Sequence, residues 1–159
     1  MKSKLKEKYK VGIISDTHGL LREEVINYLK GCDYIIHGGD INTENVLKKL
    51  EEIAPLYVVK GNNDKGEWAD KLPKEVYFKI GNIKFYMVHN KKDIATNLKD
   101  IDVIIFGHSH KYFYEDIEGK FLLNPGSCGK RRFNLPINLA IMTIDENYYR
   151  VEKIDIIYN

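Results

Sequence analysis

The chain has 159 residues, 43% hydrophobic and 30% charged, with a net charge of +2, which suits a globular chain with a core of its own and excludes fibrous and disordered classes. Its two cysteines, Cys32 and Cys128, stand far apart in no CxxC spacing, which argues against a disulfide framework and a thiolate zinc site and favours the cytosol. The first ten residues contribute +4 (five lysines against Glu7) and the remainder −2, so basic surface is confined to the tail and nucleic acid is not the expected partner.

Apolar character after the tail ends within a few residues at Ser15 and Asp16, unlike a secretory leader, and no apolar run approaches the roughly 20 residues of a membrane span. The expectation is one soluble, cytoplasmic domain over residues 1–159, with a lysine-rich tail over 1–9. Residues 11–15 read as a buried strand, and 20–30 as a helix with Leu21, Val25, Ile26 and Leu29 on one face and Gly31 as its stop. Residues 34–37 form a second strand. Thr43 then caps a helix whose inward stripe is Val46, Leu47, Leu50 and Ile53. Residues 56–59 form the third strand.

Beyond Pro73 the pattern predicts hairpins and antiparallel strands: 76–80 with 83–88 around Gly81-Asn82, 113–117 with 120–123 around Glu118-Gly119, and 139–144 with 149–156 around Glu146-Asn147. Between them, 92–98 reads as a short helix and 103–106 as a buried strand. So many strands in so short a chain fit an α/β architecture of two packed sheets with helices on the outer faces.

Five strands end alike, in VGIISDTH, YIIHGGD, LYVVKGNND, FYMVHN and VIIFGHSH. Taken singly these are unremarkable: Asp16 and Asp40 suit turns that cap a helix, His18 a surface turn, and His89 a hydrogen-bonded core position. His108 and His110 are stronger, because extended backbone points residues two apart to one side. His37 lies inside a strand and reads as a packed, hydrogen-bonded residue. Ligands of open α/β sheets bind beyond the carboxyl ends of the strands, so these ends can converge. Asp16, His18, Asp40, Asn62, His89, His108 and His110 are seven donors, more than one ion takes. Two ions roughly 3.5–4 Å apart sharing a carboxylate would use them all and suit phosphoryl chemistry. Imidazole and carboxylate without thiolate suit Mn, Fe, Zn, Ni or Co better than Ca or Mg and leave the identity open among them, with Mn expected first. Two divalent ions, two aspartates and a bridging hydroxide leave a charge of about +1, which calls for an anion.

The order D-x-H, G-G-D, G-N-x-D, H and G-H-x-H, with NPGS at 124–127, resembles the calcineurin-like metallophosphoesterase superfamily, in particular its small YfcE-like phosphodiesterase branch. The resemblance implies a four-layer αββα sandwich of two mixed sheets. It implies one metal on Asp16, His18, Asp40 and His110, and a second on Asp40, Asn62, His89 and His108, with Asp40 bridging. A metal-bridging hydroxide would hydrolyse a P–O bond, and Asp40, Asn63, His89 and His108 are the residues expected to carry the catalysis. Many relatives have His where this chain has Asn63, which can hydrogen-bond phosphate but cannot protonate a leaving group near neutral pH. Asp64 is expected to orient the Asn62 turn from behind. Asn90 and Lys91 replace the Gly and His that often follow the ligand of MVHNKK.

Lys130, Arg131 and Arg132, after NPGS, are candidates for substrate contact. Cys128 is expected to be buried and inert, and Trp68, Tyr112 and Phe113 to serve packing or interfaces. The expected partner is a small phosphate ester, a diester in preference to a metabolite or nucleotide monoester. A non-catalytic interaction scaffold of the same fold is the alternative from another class. A homodimer or tetramer is left open.

Overall fold

The computed structural model describes residues 8–132 and 134–157; residues 1–7, most of the lysine-rich tail, lie outside them. The elements are β1 (Lys8–Ile14), α1 (Glu23–Leu29), β2 (Tyr34–His37), α2 (Glu44–Ile53), β3 (Leu56–Val58), α3 (Glu67–Asp70), β4 (Glu75–Ile80), β5 (Ile83–Val88), a 3₁₀ turn (Lys91–Asp93), β6 (Val103–Ile105), β7 (Tyr112–Ile117), β8 (Lys120–Pro125), β9 (Asn138–Asp145) and β10 (Tyr148–Asp155). They build two five-stranded mixed sheets, ordered β10-β9-β1-β2-β3 and β4-β5-β6-β8-β7. This is the expected α/β sandwich.

Strand periodicity explains the layering. On β1, Val11 and Ile13 point between the sheets, where they meet Phe85, Met87, Val103, Ile105, Leu123 and Met142. Ile14 points to the other face, against Val25 and Leu29 of α1 and Leu50 of α2. Side chains alternate across a strand, so a strand that is apolar at consecutive positions must be covered on both faces. The outer face of the second sheet carries Tyr86, Ile104, Phe106 and Leu122, covered by Ile94, Ala95 and Leu98.

That last cover differs from expectation. Residues 92–98 form no α-helix; only the 3₁₀ turn Lys91–Asp93 is regular, and Asn90 caps it by accepting from the Lys92 N–H. Thr96 and Asn97 are weak helix formers, and the Ala95 N–H donates to the Tyr86 hydroxyl at 3.2 Å instead of to a helical carbonyl. The first helix also starts late, at Glu23 and not at residue 20, because the chain before it is tied elsewhere: Gly19 N–H donates to Ile41 C=O and Leu20 N–H to Thr17 C=O. Sequence reading missed α3, whose Trp68 packs on the helix-side core.

All three predicted hairpins are present and antiparallel. The centre of the second sheet is not: β5, β6 and β8 run parallel. Parallel pairing turns β1, β2, β5 and β6 so that their carboxyl ends meet at one edge of the sandwich. Ile105 is fully buried in the middle of the intersheet core. Ile105→Ala is expected to lower unfolding free energy by about 2–5 kcal/mol, while exposed Ile117→Ala stays within about 0.5 kcal/mol, both read from urea midpoints.

Candidate metal centre

The loops after β1, β2, β5 and β6 are sewn to one another. Asp16 N–H donates to Gly39 C=O, His18 N–H to Asp40 C=O, and Gly107 N–H to His89 C=O. These bonds bring the DTH, GGD, VHN and GHSH segments together. The backbone is strained where they meet: Asp16, His18, Asp40, His108 and His110 all have φ between 47° and 74°, a region L-residues seldom occupy and which concentrates at functional sites.

Two clusters result. In each of them, Asp16–His18–His110 and Asp40–His89–His108, one donor atom per residue lies within 4.8 Å of the others. His18 Nε2 is 3.2 Å from His110 Nε2, and these nitrogens are 3.6 and 3.5 Å from Asp16 Oδ1. Donor atoms held tetrahedrally at bonds of about 2.05 Å would be about 3.3 Å apart, so the spacing can accommodate an ion's coordination shell. Asp40 Oδ2 stands between the clusters, 3.6 Å from His18 Nε2 and 3.2 Å from His89 Nε2. Asp16, His18, Asp40, His89 and His110 are buried, and His108 is exposed.

The tautomer of His89 tests whether a cation fits. Its Nδ1 lies 2.7 Å from Gly38 C=O, an acceptor only, so Nδ1 carries a proton and Nε2 is the nitrogen left to face the site. Nε2 is buried and makes no hydrogen bond of good geometry among the described residues, as is true of Asp16 Oδ1. Nε2 and Asp40 Oδ2 lie 3.2 Å apart, a spacing that calls for positive charge between them, carried by a proton on Nε2 or by a metal ion in its place. The charges respond in the same sense. Burial alone would raise the Asp40 carboxyl, but His89 and the Asn63 N–H hold it well below the usual carboxylate range. Burial would depress His89, yet Asp40 and Asp16 raise it. For His110, burial prevails and lowers it.

Behind the donors lies a support that sequence reading mostly did not assign. The Asp64 carboxylate accepts from the N–H groups of Asp40, Asn42 and Gly61 at 2.7–3.0 Å, the orienting role expected of it. At Gly61 a Cβ would fall 2.2 Å from Asp40 Oδ1, so only glycine lets the GNND turn approach. Ser15 Oγ donates to Asp16 Oδ2 at 2.6 Å, and the His108 N–H reaches the same oxygen. The NPGS motif supports both sides: Asn124 Nδ2 donates to Gly107 C=O, and Ser127 Oγ to Asp16 C=O. His37 is buried, as expected, and joins two loops through Nε2 to Thr17 Oγ1 and Nδ1 from Gly39 N–H.

The remaining predicted residues sit at the rim. Asn62 is exposed and lines a cleft with His89 and Asp64. Asn63 directs both its N–H, at 2.9 Å, and its Nδ2, at 3.2 Å, to the Asp40 carboxylate. Lys130, Arg131 and Arg132 are exposed; Arg132 is near enough for its charge to help lower His110, and Arg131 donates to Asn134 C=O. Cys128 is fully buried, and burial pushes its thiol up to about 12.

Residues 9–147 match the Calcineurin-like phosphoesterase superfamily domain. A phosphodiesterase of Methanocaldococcus jannaschii is 28% identical over 162 residues, which span 89% of this chain and 96% of that protein. Among solved structures, a predicted phosphoesterase of Streptococcus pneumoniae superposes with a TM-score of 0.71 at 24% identity, over 95% of this chain and 91% of that one. Vacuolar Protein Sorting 29 of Cryptosporidium parvum superposes with a TM-score of 0.77 at 18% identity, over 96% and 100%. At those identities the two structures share the fold alone.

Burial lowers the His37 imidazole from 6.5 to about 4, although Asp16 pulls the other way. The unfolded chain therefore binds a proton that the folded one refuses as pH falls from 6.5 towards 4. In the metal-free protein stability should drop by about 1.4 kcal/mol per pH unit across that window from this residue. His37→Gln should flatten the urea-midpoint profile by that amount; equal slopes in the two proteins would contradict it.

Proposed function

The chain belongs to the calcineurin-like phosphoesterase superfamily, and from that premise we propose that it is a phosphodiesterase working with two divalent ions. Asp16, His18 and His110 would hold one ion, Asn62, His89 and His108 the other, and Asp40 both. The observation that carries this reading is the convergence of donor atoms in two groups, Asp16–His18–His110 and Asp40–His89–His108, with Asp40 Oδ2 3.2 Å from His89 Nε2 and 3.6 Å from His18 Nε2. Such imidazole and carboxylate donors suit manganese as the first ion to test, with nickel, zinc, iron or cobalt as alternatives. When bound, the ions supply an acidified water and neutralise charge on the phosphoryl oxygens.

The chain's own groups do the positioning. Gly38 C=O orients the His89 ring, Asp64 fixes the Asp40 backbone, and Asn63 donates to both oxygens of the Asp40 carboxylate. Asn63 has no proton to donate to a departing oxygen at neutral pH, a step worth roughly 10²–10⁴ in rate. Good leaving groups therefore suit this chain best. The two free, buried cysteines suit a reducing compartment, and we place the activity in the cytoplasm on that ground.

Manganese-reconstituted protein should hydrolyse bis(4-nitrophenyl) phosphate faster than 4-nitrophenyl phosphate, and chelation should abolish both activities. The reverse order would make it a monoesterase, and neither activity a scaffold. Asp40→Asn should lose bound metal by elemental analysis together with activity; full metal content in that variant would remove Asp40 from the bridge. Asn63→His should raise turnover of alkyl esters by about tenfold or more, with metal content unchanged.

A further inference from the structure

Two depressions flank the centre and are divided at Asn90, which lines both. The cleft beside His89 and Asn62 has a volume of about 620 Å³, and its lysines, Lys60, Lys65 and Lys74, are matched by as many carboxylates, Asp64, Glu75 and Asp93. The other groove, about 470 Å³, opens directly from His108. Its walls are Phe106, Phe113 and Leu135; Lys91 and Lys111 line it as well, and among the described residues no carboxylate does. A groove that joins apolar walls to uncompensated cations beside a centre built for anions fits an anion with an apolar substituent.

The shape of that substituent follows from the two rings. Phe106 is 4% exposed and forms part of the outer core, whereas Phe113 is half-buried and keeps part of its ring towards the groove. Their centroids are 6.2 Å apart with the planes tilted by 55°, so they do not stack face to face on each other. Lys91 Nζ lies 4.7 Å from the Phe113 centroid and 5.9 Å from that of Phe106. The ammonium thus already rests on the ring faces. A flat ring can take that place, leaving the ammonium to a phosphoryl oxygen.

We propose that the groove between His108 and Phe113 is the subsite for a planar, apolar ester substituent, an aryl ring or a nucleobase, with Phe113 as its specificity-determining residue. The inference rests on the phosphoesterase reading and adds the class of substrate. Asn63 favours esters that leave without protonation, and the groove selects among them by the flatness of one substituent.

Phenyl 4-nitrophenyl phosphate and methyl 4-nitrophenyl phosphate share a leaving group and differ only in the substituent. With the manganese-reconstituted protein, kcat/KM should favour the phenyl ester roughly tenfold, mostly through KM, as ring stacking on one aromatic side chain supplies. Phe113→Ala should bring the ratio near one and leave the methyl ester within about twofold. Leu135→Ala, in a loop, should reduce the ratio without touching β7. Without metal, phenylphosphonate should bind more tightly than methylphosphonate, by a margin that Phe113→Ala removes. Thymidine 5′-(4-nitrophenyl phosphate) separates the sources: faster turnover than the phenyl ester identifies a nucleobase, slower turnover an aryl group. Equal efficiency on the phenyl and methyl esters, or a preference that survives both substitutions, overturns the subsite. No hydrolysis of either ester overturns the phosphoesterase reading instead.

Discussion

Everything at this edge of the sandwich depends on holding the Asp40 carboxylate, almost without water, between two sets of imidazoles. The residue is 2% exposed and its backbone is left-handed, with φ of 62°. Neither state is favourable by itself. It persists because each of its polar groups is held: the N–H by Asp64, the C=O by His18 N–H, and the carboxylate by Asn63. Gly61 gives the last turn room to approach. With the carboxylate so anchored, its charge decides the state of its neighbours, and it raises the His89 imidazole against the effect of burial.

The strain spreads beyond one residue. Five of the seven expected donors sit in left-handed backbone, and the core makes that tolerable. The strands that deliver them are covered on both faces by apolar side chains, so their ends cannot relax without opening the sandwich. NPGS, although it supplies no donor, completes the arrangement from behind by tying the GHSH loop through Asn124 and the DTH loop through Ser127. An arrangement of this kind suits electrostatic work, since its dipoles and charges are in position before an anion arrives.

Charge also separates the two sides of the centre. On the Asn62 side cations and carboxylates are matched, and Asp64 and Glu75 are themselves engaged, the latter by the Tyr86 hydroxyl at 2.7 Å. On the His108 side Lys91 rests on aromatic faces, and among the described residues no acid lines the groove. One substituent of a diester would thus meet a polar wall and the other an apolar one, an asymmetry that a metal centre alone would not impose.

Much of this was legible in the sequence where the signal is local. Alternation of apolar residues marked the strands, turn pairs such as Gly81-Asn82 marked the hairpins, and the repeated halt of apolar runs at Asp, Asn or His marked the candidate donors, because each depends on residues close along the chain. The parallel pairing of β5, β6 and β8 was not legible, since it is chosen by contacts between segments tens of residues apart. For the same reason residues 92–98 lost their helix to Tyr86, and His37 gained partners in two loops. The sequence by itself determined which side chains could bind a cation and which strand ends would carry them. Only the tertiary structure decided that Asp40 lies between the two clusters, that Asn63 serves its carboxylate, and that Phe113 faces a groove, because direction and distance are set by packing between sheets and not by order along the chain.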